Sequence, residues 1–178
     1  MNMKKTLMTL LLLSSLCAIA QYQPAGDKIK TRWASEVKPD KVLPEYPRPL
    51  MTRQAWQNLN GLWDYAITPA DAKHPSDYDG EILVPFCIES SLSGVQQTVG
   101  TDKALWYQRE FSVPKGWKGQ RVLLHFGAVD WQADVWVNDV KVGSHTGGYA
   151  PFTFDITQAL NAKNNPLVVR VWDPTDDS

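Results

Sequence analysis

The sequence is poor in cysteine, in histidine and in net charge. Its 178 residues include two cysteines, Cys17 and Cys87. Cys17 lies in an N-terminal segment that we expect to be removed, so Cys87 would have no partner for an internal disulfide. The three histidines, His74, His125 and His145, show no close ligand spacing. With one cysteine left in the mature chain they do not predict a metal site, and no cofactor is expected.

The near balance of charge excludes a general attraction to polyanions. The chain has 18 Lys and Arg against 19 Asp and Glu, a formal charge of −1. Loss of the two lysines in residues 1–20 would leave 16 against 19, a charge of −3. Such a chain is not predicted to bind nucleic acid or an anionic membrane surface.

Motifs of common catalytic classes are missing as well. No G-x-S-x-G elbow of a serine hydrolase occurs. The glycine-rich stretch from Gly143 to Gly148 lacks the Lys-Ser/Thr ending of a phosphate-binding loop. The acidic candidates for catalysis are Glu81, Glu89, Glu110, Asp130, Asp134 and Asp155. No spacing singles out a pair of them, and the alternation around Glu110 and Asp134 predicts that both face solvent.

The one long apolar run lies at the N-terminus. Lys4-Lys5 precede the run from Leu7 to Leu16, and Ala18-Ile19-Ala20 place small residues where a signal peptidase reads. Because the run is too short to span a bilayer, we predict a secretory signal peptide cleaved after Ala20. A lipoprotein with a lipidated Cys17 is disfavoured by the large residue before it. The expected location is the bacterial periplasm.

Short strand patterns occupy most of the remaining chain. Val122, Leu124 and Phe126 alternate with Leu123 and His125, the period of a strand with one buried face. The predicted strands are Leu59–Ile67, Glu81–Val84, Leu105–Val113, Arg121–Phe126, Gln132–Val137, Val140–Gly143, Phe152–Asp155 and Leu167–Trp172. Loops rich in Pro, Gly, Ser, Asp or Lys separate them, and no helical pattern of useful length intervenes. This arrangement predicts an all-β fold, an antiparallel β-sandwich of jelly-roll type.

Local signals refine this prediction at three points. Asn138-Asp139 suits a tight hairpin, because both residue types tolerate positive φ. Asp155 is expected to offer its carboxylate to free N–H groups at the start of a short helical turn. Met51 to Asn60 is a candidate for another helical turn.

Five stretches, taken in order, give the sequence a specific resemblance. They are Leu59-Asn60-Gly61-Leu62-Trp63, the region from Val84 to Gly94, Trp106-Tyr107-Gln108-Arg109-Glu110-Phe111, the region from Leu123 to Thr157, and the region from Val169 to Asp176. The chain resembles the N-terminal sandwich of glycoside hydrolase family 2, the family of β-galactosidases, β-glucuronidases and β-mannosidases. The match runs from Pro44 to Asp176.

The resemblance implies a domain layout. Residues 1–20 would be the signal peptide, 21–43 a lead segment and 44–178 a galactose-binding-domain-like jelly roll truncated at its C-terminus. In the family the polypeptide continues through a last strand of the sandwich, an immunoglobulin-like domain and a catalytic (β/α)₈ barrel. The strand Leu167–Trp172 would therefore lie at an exposed sheet edge.

The resemblance also implies that loops of this domain help to shape the substrate pocket. The expected sugar-contacting residues are Trp131, Asp130, Glu89, His145 and Tyr149. Trp131 stands at a strand entrance and is the best candidate for an aromatic sugar platform, the alternative being packing under a neighbouring loop. Asp130 has the alternative role of accepting hydrogen bonds from turn N–H groups. Gly147-Gly148 stand where some family members carry an acidic residue, a departure from β-galactosidases that fits the glucuronidase-like branch no worse.

Three functions are compatible with these features. The resemblance favours a sugar-binding and scaffolding domain of an exported, retaining glycoside hydrolase of terminal β-linked sugars. Both catalytic carboxyl groups would then lie beyond this chain, which would be inactive alone, and its partners would be a carbohydrate and the downstream domains. The alternatives are a stand-alone carbohydrate-binding module and a purely structural sandwich. The eight tryptophans suit sugar binding, but β-sandwiches also bury large aromatic residues.

Overall fold

The computed structural model describes residues 22–175, so the predicted signal peptide lies outside the described residues. The strands are β1 (Gly61–Pro69), β2 (Gly80–Val84), β3 (Lys103–Phe111), β4 (Leu123–Phe126), β5 (Gln132–Val137), β6 (Val140–Thr146), β7 (Phe152–Asp155) and β8 (Asn165–Trp172). The short 3₁₀ helices are Arg32–Glu36, Pro39–Lys41, Pro49–Met51, Ser91–Ser93, Lys115–Trp117 and Thr157–Ala159. Within residues 22–175 there is no α-helix, and no helix long and apolar enough to cross a membrane.

All eight predicted strands are confirmed, with small shifts at their ends. β1 begins at Gly61, and the carbonyls of Leu59 and Asn60 before it accept hydrogen bonds from Arg109 instead (2.8 and 2.7 Å). β6 continues to Thr146, where it still pairs with β5. The helical turn considered for Met51–Asn60 is absent. The 3₁₀ helix Pro49–Met51 ends where this stretch begins. The prolines that lead into it fix φ of the local backbone.

The other two local predictions are confirmed. Asn138 and Asp139 connect β5 to β6 with φ values of 50° and 62°, the paired left-handed conformation that matches the twist of a hairpin. The Asp155 carboxylate accepts hydrogen bonds from the backbone N–H and the hydroxyl of Thr157 (3.1 and 2.6 Å). These features depend on neighbouring residues alone, so the sequence was sufficient to predict them.

The strands form two antiparallel sheets. The large sheet has six strands in the order β2-β1-β3-β8-β5-β6, and the small sheet pairs β4 with β7. The expectation that Leu167–Trp172 forms an exposed edge is wrong. β8 lies between β3 and β5, with Val171 opposite both Leu105 and Ala133. Both of its edges are therefore hydrogen-bonded, and the edges of the large sheet are β2 and β6.

The core lies between the two sheets. Its buried members are Trp63, Tyr65, Ile82, Ile88, Leu105, Phe111, Val122, Leu124, Val135, Val137, Ile156, Leu167 and Val169. Most come from the inward positions of the strands of the large sheet and from β4, Val122 and Ile156 lie directly next to β4 and β7, and Ile88 lies in the loop after β2. Burial of one such side chain contributes about 1.5–3 kcal/mol, so this layer supplies the main stabilising free energy. The predicted antiparallel β-sandwich is confirmed.

The outer face of the large sheet carries a second, smaller cluster. Trp106 and Trp136 stack there with ring centroids 5.8 Å apart. Beside them Asp134 forms ion pairs with Lys141 (2.7 Å) and Arg170 (3.5 Å). Asp134 thus lies on the predicted outer face, but it is only 8% exposed, because these longer side chains cover it. The prediction that it faces solvent is wrong for this reason, whereas Glu110 is exposed.

Two opposing effects act on the pKa of Asp134. Burial raises the pKa, but hydrogen bonds from Lys141 and Ser144 and the charges of Lys141 and Arg170 outweigh it. The net result is a pKa below the usual value. The folded state therefore favours the charged carboxylate.

We expect Leu167→Ala to destabilise the fold by about 2–5 kcal/mol, because Leu167 is 1% exposed and its loss leaves a cavity. Leu50→Ala is the matched control, since Leu50 is 99% exposed and should change stability by less than about 0.5 kcal/mol. Urea unfolding monitored by tryptophan fluorescence measures both. Equal midpoints for the two variants would contradict the assignment of Leu167 to the core.

We expect Asp134→Asn to lower stability at pH 7 by about 2 kcal/mol, since it removes the negative charge that pairs with Lys141 and Arg170. Because the folded pKa is lowered, the carboxylate's contribution is complete above the unfolded pKa of about 3.9 and is lost as pH falls through the folded value. The difference between wild type and variant should therefore shrink below about pH 4. Urea midpoints between pH 7 and pH 3 measure it, with Glu110→Gln as control. A difference that stays constant over this range would disprove the linkage.

Candidate functional site

A cleft of about 510 Å³ opens between the two sheets, beside β4. Its floor is the core side of the large sheet, including Trp63, Leu105 and Val169. The residues around it that carry polar or aromatic groups are Phe86, Cys87, Glu89, Tyr107, His125, Phe126, Asp130 and Asp173. A concave, mostly apolar site with a few polar groups is typical of small-ligand binding. Two of the predicted residues, Glu89 and Asp130, line this cleft.

The loop between β2 and β3 carries Glu89 and is fixed by its own hydrogen bonds. Ser93 is fully buried, and its hydroxyl accepts hydrogen bonds from the N–H groups of Val95 (3.0 Å) and Gln96 (3.3 Å). The Ser90 hydroxyl accepts one from the N–H of Ser93 (3.2 Å). Ile88, directly before Glu89, is 3% exposed and belongs to the core. Glu89 is therefore attached to a rigid part of the loop.

A second pair of loops brings Asp130 and Trp131 next to the glycine-rich segment. The N–H of Gly147 donates to the carbonyl of Trp131 (2.9 Å). The Asp130 carboxylate lies against the backbone of Gly148, in the space that a side chain at position 148 would need. Trp131 is 40% exposed, so its ring is only partly covered by the neighbouring loop. The loops that follow β4 and β6 thus meet at one end of the sandwich.

His145 and Tyr149 do not line the cleft. The His145 ring stacks on Phe152 at 4.2 Å between centroids, and Phe152 stacks in turn on Phe126 at 4.7 Å. Its Nε2 is buried and has no hydrogen-bond partner within residues 22–175. Tyr149 is 97% exposed and points away from this packing. In this structure His145 packs against the core, and Tyr149 is available only to something outside the domain.

Several residues of the cleft were not predicted from the sequence. Burial raises the pKa of Tyr107, and the charges of Glu89 and Cys87 add to the effect. Asp173 follows β8 directly, and its Oδ1 accepts hydrogen bonds from the N–H and the hydroxyl of Thr175 (2.8 and 2.7 Å). The inward position of Tyr107 in the β3 alternation was a usable signal. Nothing local marks Asp173, whose place depends on β8 being central.

The chemistry of the cleft suits a polyhydroxylated ligand. Glu89, Asp130 and Asp173 are strong acceptors for hydroxyl donors, and Phe86 and Tyr107 provide flat aromatic surface. Within the described part of the chain, no group of three His, Cys, Asp or Glu residues could hold a metal ion. Cys87, which is exposed, is a free thiol.

A second groove of about 670 Å³ runs along β4. Trp56 and Trp117 line it, and the Trp56 ring stacks on His125 at 6.4 Å between centroids. Burial lowers the pKa of His125, and the positive charges of Arg53 and Arg48 lower it further. In the described residues β4 pairs with β7 alone, so this groove borders its unpaired edge.

Comparison with known proteins gives a consistent match. Residues 89–178 match the family model described as glycosyl hydrolases family 2, sugar binding domain. A β-glucuronidase of Paenibacillus borealis is 30% identical over 133 residues, which cover 71% of this chain and 22% of that protein. A β-galactosidase of Thermoanaerobacter pseudethanolicus is 44% identical over 68 residues, covering 37% of this chain and 9% of that protein.

A solved structure agrees with these relatives. The β-glucuronidase of Faecalibacterium prausnitzii is 30% identical with a TM-score of 0.56, over 72% of this chain and 22% of that one. The chain thus spans about a fifth of the length of the β-glucuronidases that it matches. The family model covers the loop of Glu89, both loops at the end of the sandwich and β8. From this match and from the sandwich that carries it, the chain belongs to glycoside hydrolase family 2 and contains that family's sugar-binding domain.

Proposed function

We propose that this chain is the sugar-binding and scaffolding domain of an exported, retaining glycoside hydrolase that acts on terminal β-linked sugars. The observation that carries the proposal is the cleft lined by Glu89 and Asp130, two residues inside the segment that matches the family's sugar-binding model. The catalytic carboxyl pair would lie on a barrel outside this chain. The domain would contribute loops to the substrate pocket and support the barrel.

The contact between Asp130 and Gly148 supports a role for Asp130 in this pocket. Gly147-Gly148 replace the acidic residue that some family members carry in this loop. In the structure the Asp130 carboxylate lies where a side chain of residue 148 would begin. We infer that Asp130 supplies an acceptor for a sugar hydroxyl from the neighbouring loop, with Trp131 offering its partly exposed ring beside it.

The proposed partners are the immunoglobulin-like and barrel domains of a full-length enzyme. Two features of the surface around β4 support a partner domain there. β4 has one unpaired edge within the described residues, and Leu43 and Leu123, which are 57% and 39% exposed, flank the groove along it. An unpaired strand edge with apolar neighbours favours association with another segment or domain. Export is supported by the pattern of residues 1–20.

A stand-alone carbohydrate-binding module is the second candidate. The exposure of Trp131 (40%) and Tyr149 (97%) at one end of the sandwich favours it, because aromatic rings accessible to solvent suit the faces of sugar rings. The two candidates differ in whether the chain alone binds an oligosaccharide tightly. A module would do so, whereas a pocket-forming loop would give weak binding.

We expect the chain alone to bind an uncharged probe, methyl β-D-galactopyranoside, more tightly than methyl β-D-glucuronide. The carboxylates of Glu89, Asp130 and Asp173 repel a uronate, and the preference should shrink with added salt. Isothermal calorimetry at low and high salt measures both affinities. Asp130→Asn should narrow the preference, with Glu110→Gln as a control outside the cleft. Tighter binding of the glucuronide, or a preference that does not change with salt, would argue against these carboxylates as ligand contacts.

We expect the purified chain to show no turnover of p-nitrophenyl β-D-galactoside or β-D-glucuronide. Retaining hydrolysis needs a nucleophile and an acid/base about 5–5.5 Å apart, and the proposal places both outside residues 1–178. Release of p-nitrophenol over a day measures it. Turnover that is abolished by Glu89→Gln or Asp130→Asn would overturn the proposal, since these cleft carboxylates would then be catalytic.

A further inference from the structure

Residues 22–28, which we call the strap, run along the loop that carries Glu89. The Tyr22 hydroxyl donates to the carbonyl of Leu92 (2.7 Å), and the N–H of Ala25 donates to that of Ser91 (2.8 Å). Lys28 Nζ donates to the carbonyl of Glu89 itself (3.1 Å). Within residues 22–175, these hydrogen bonds of the strap all go to this one loop.

Two glycines allow the strap and the loop to approach closely. Gly94 has a φ of 84°, and a Cβ there would lie 3.3 Å from the Tyr22 ring. Gly26 has a φ of 57°, and a Cβ there would collide with the side chain of Gln96. Gln96 is held in turn by the Ser91 hydroxyl, which donates to its Oε1 (2.8 Å). One glycine in the strap and one in the loop therefore leave the space that this close contact needs.

The strap is not what keeps the loop attached to the domain. Ile88 anchors the loop in the core, and the buried hydroxyl of Ser93 ties its turn together. The N–H of Gln97 also donates to the carbonyl of Ile88 (3.2 Å), which closes the base of the turn. The N–H of Ser90 donates to the carbonyl of Cys87 (2.9 Å) and closes the turn around Glu89. The carbonyl of Glu89 points out of this turn to the strap, where it accepts the hydrogen bond from Lys28.

We propose that residues 22–28 are a positioning element of the sugar cleft, with Lys28 and Tyr22 fixing the loop so that Glu89 faces the ligand. The expected dependence of sugar affinity on the strap rests on the proposed function. The effect of the strap on the loop does not, because hydrogen exchange of the loop is measurable without any sugar. The carbonyl of Glu89 has its hydrogen-bond donor in Lys28, and no residue of the strap lines the cleft.

The test compares Lys28→Met with Lys30→Met in the whole chain. Both remove one exposed lysine charge, but only Lys28 donates a hydrogen bond to the loop, so Lys30→Met controls for charge. Lys28→Arg keeps a donor and should restore wild-type behaviour. Tyr22→Phe removes the hydroxyl that binds Leu92 and serves as a second, independent variant.

Two measurements are made on each variant. Hydrogen exchange followed by mass spectrometry should show faster exchange over residues 85–100 in Lys28→Met and Tyr22→Phe, with β3 and β8 unchanged. The Kd for methyl β-D-galactopyranoside should rise about threefold, the effect of one hydrogen bond, at an unchanged thermal midpoint. Lys30→Met and Lys28→Arg should match wild type in both.

The outcomes separate the two ideas. Unchanged exchange over residues 85–100 in both variants would overturn the positioning role, as would equal loss of protection in β3 and β8, which would indicate a general stabilising role. If wild type binds no sugar while the loop exchange responds as described, the proposed function fails and the strap's hold on the loop remains. If sugar binds but its Kd is the same in all variants, the inference fails and the proposed function remains.

Discussion

The packing of two strands over six is the constraint on which this structure depends. The large sheet presents a wide apolar inner face, and β4 and β7 cover only part of it with side chains such as Leu124 and Phe154. The covered part forms the core, because every buried side chain there is removed from water. Beside β4 the inner face of the large sheet is not covered by a strand, and the 510 Å³ cleft opens there over the same apolar side chains. Core and candidate site are thus two parts of one interface.

The loops around the cleft take their geometry from that core. Ile88 anchors the loop of Glu89, and the stacked rings of Phe126, Phe152 and His145 link β4 to the end of β6. The glycine-rich segment then lies against Asp130 and Trp131. Polar groups are therefore presented by short segments tied to buried residues, the arrangement that holds a binding site in place at low entropic cost.

The N-terminal residues are part of this arrangement. Val42 is buried, and its carbonyl accepts a hydrogen bond from the side chain of Asn60 at the entrance to β1 (3.3 Å). The strap at residues 22–28 lies along the loop of Glu89. A segment whose composition predicted only a polar lead segment thus contacts both the entrance to β1 and the loop of Glu89 beside the cleft. Contacts of this kind leave no periodic trace in the sequence.

The strands, their inward faces and the Asn138-Asp139 turn could be predicted from the sequence, because side-chain alternation and turn preference act between near neighbours. The central place of β8 in its sheet and the burial of Asp134 under Lys141 and Arg170 became apparent from the folded structure alone. The fold also places Glu89 and Asp130 around one cleft and Tyr22 next to Leu92. Apart from Asp134 and Lys141, which face each other within one hairpin, these residues are far apart in the chain, and the free energy that brings them together comes from the packing of the whole sandwich.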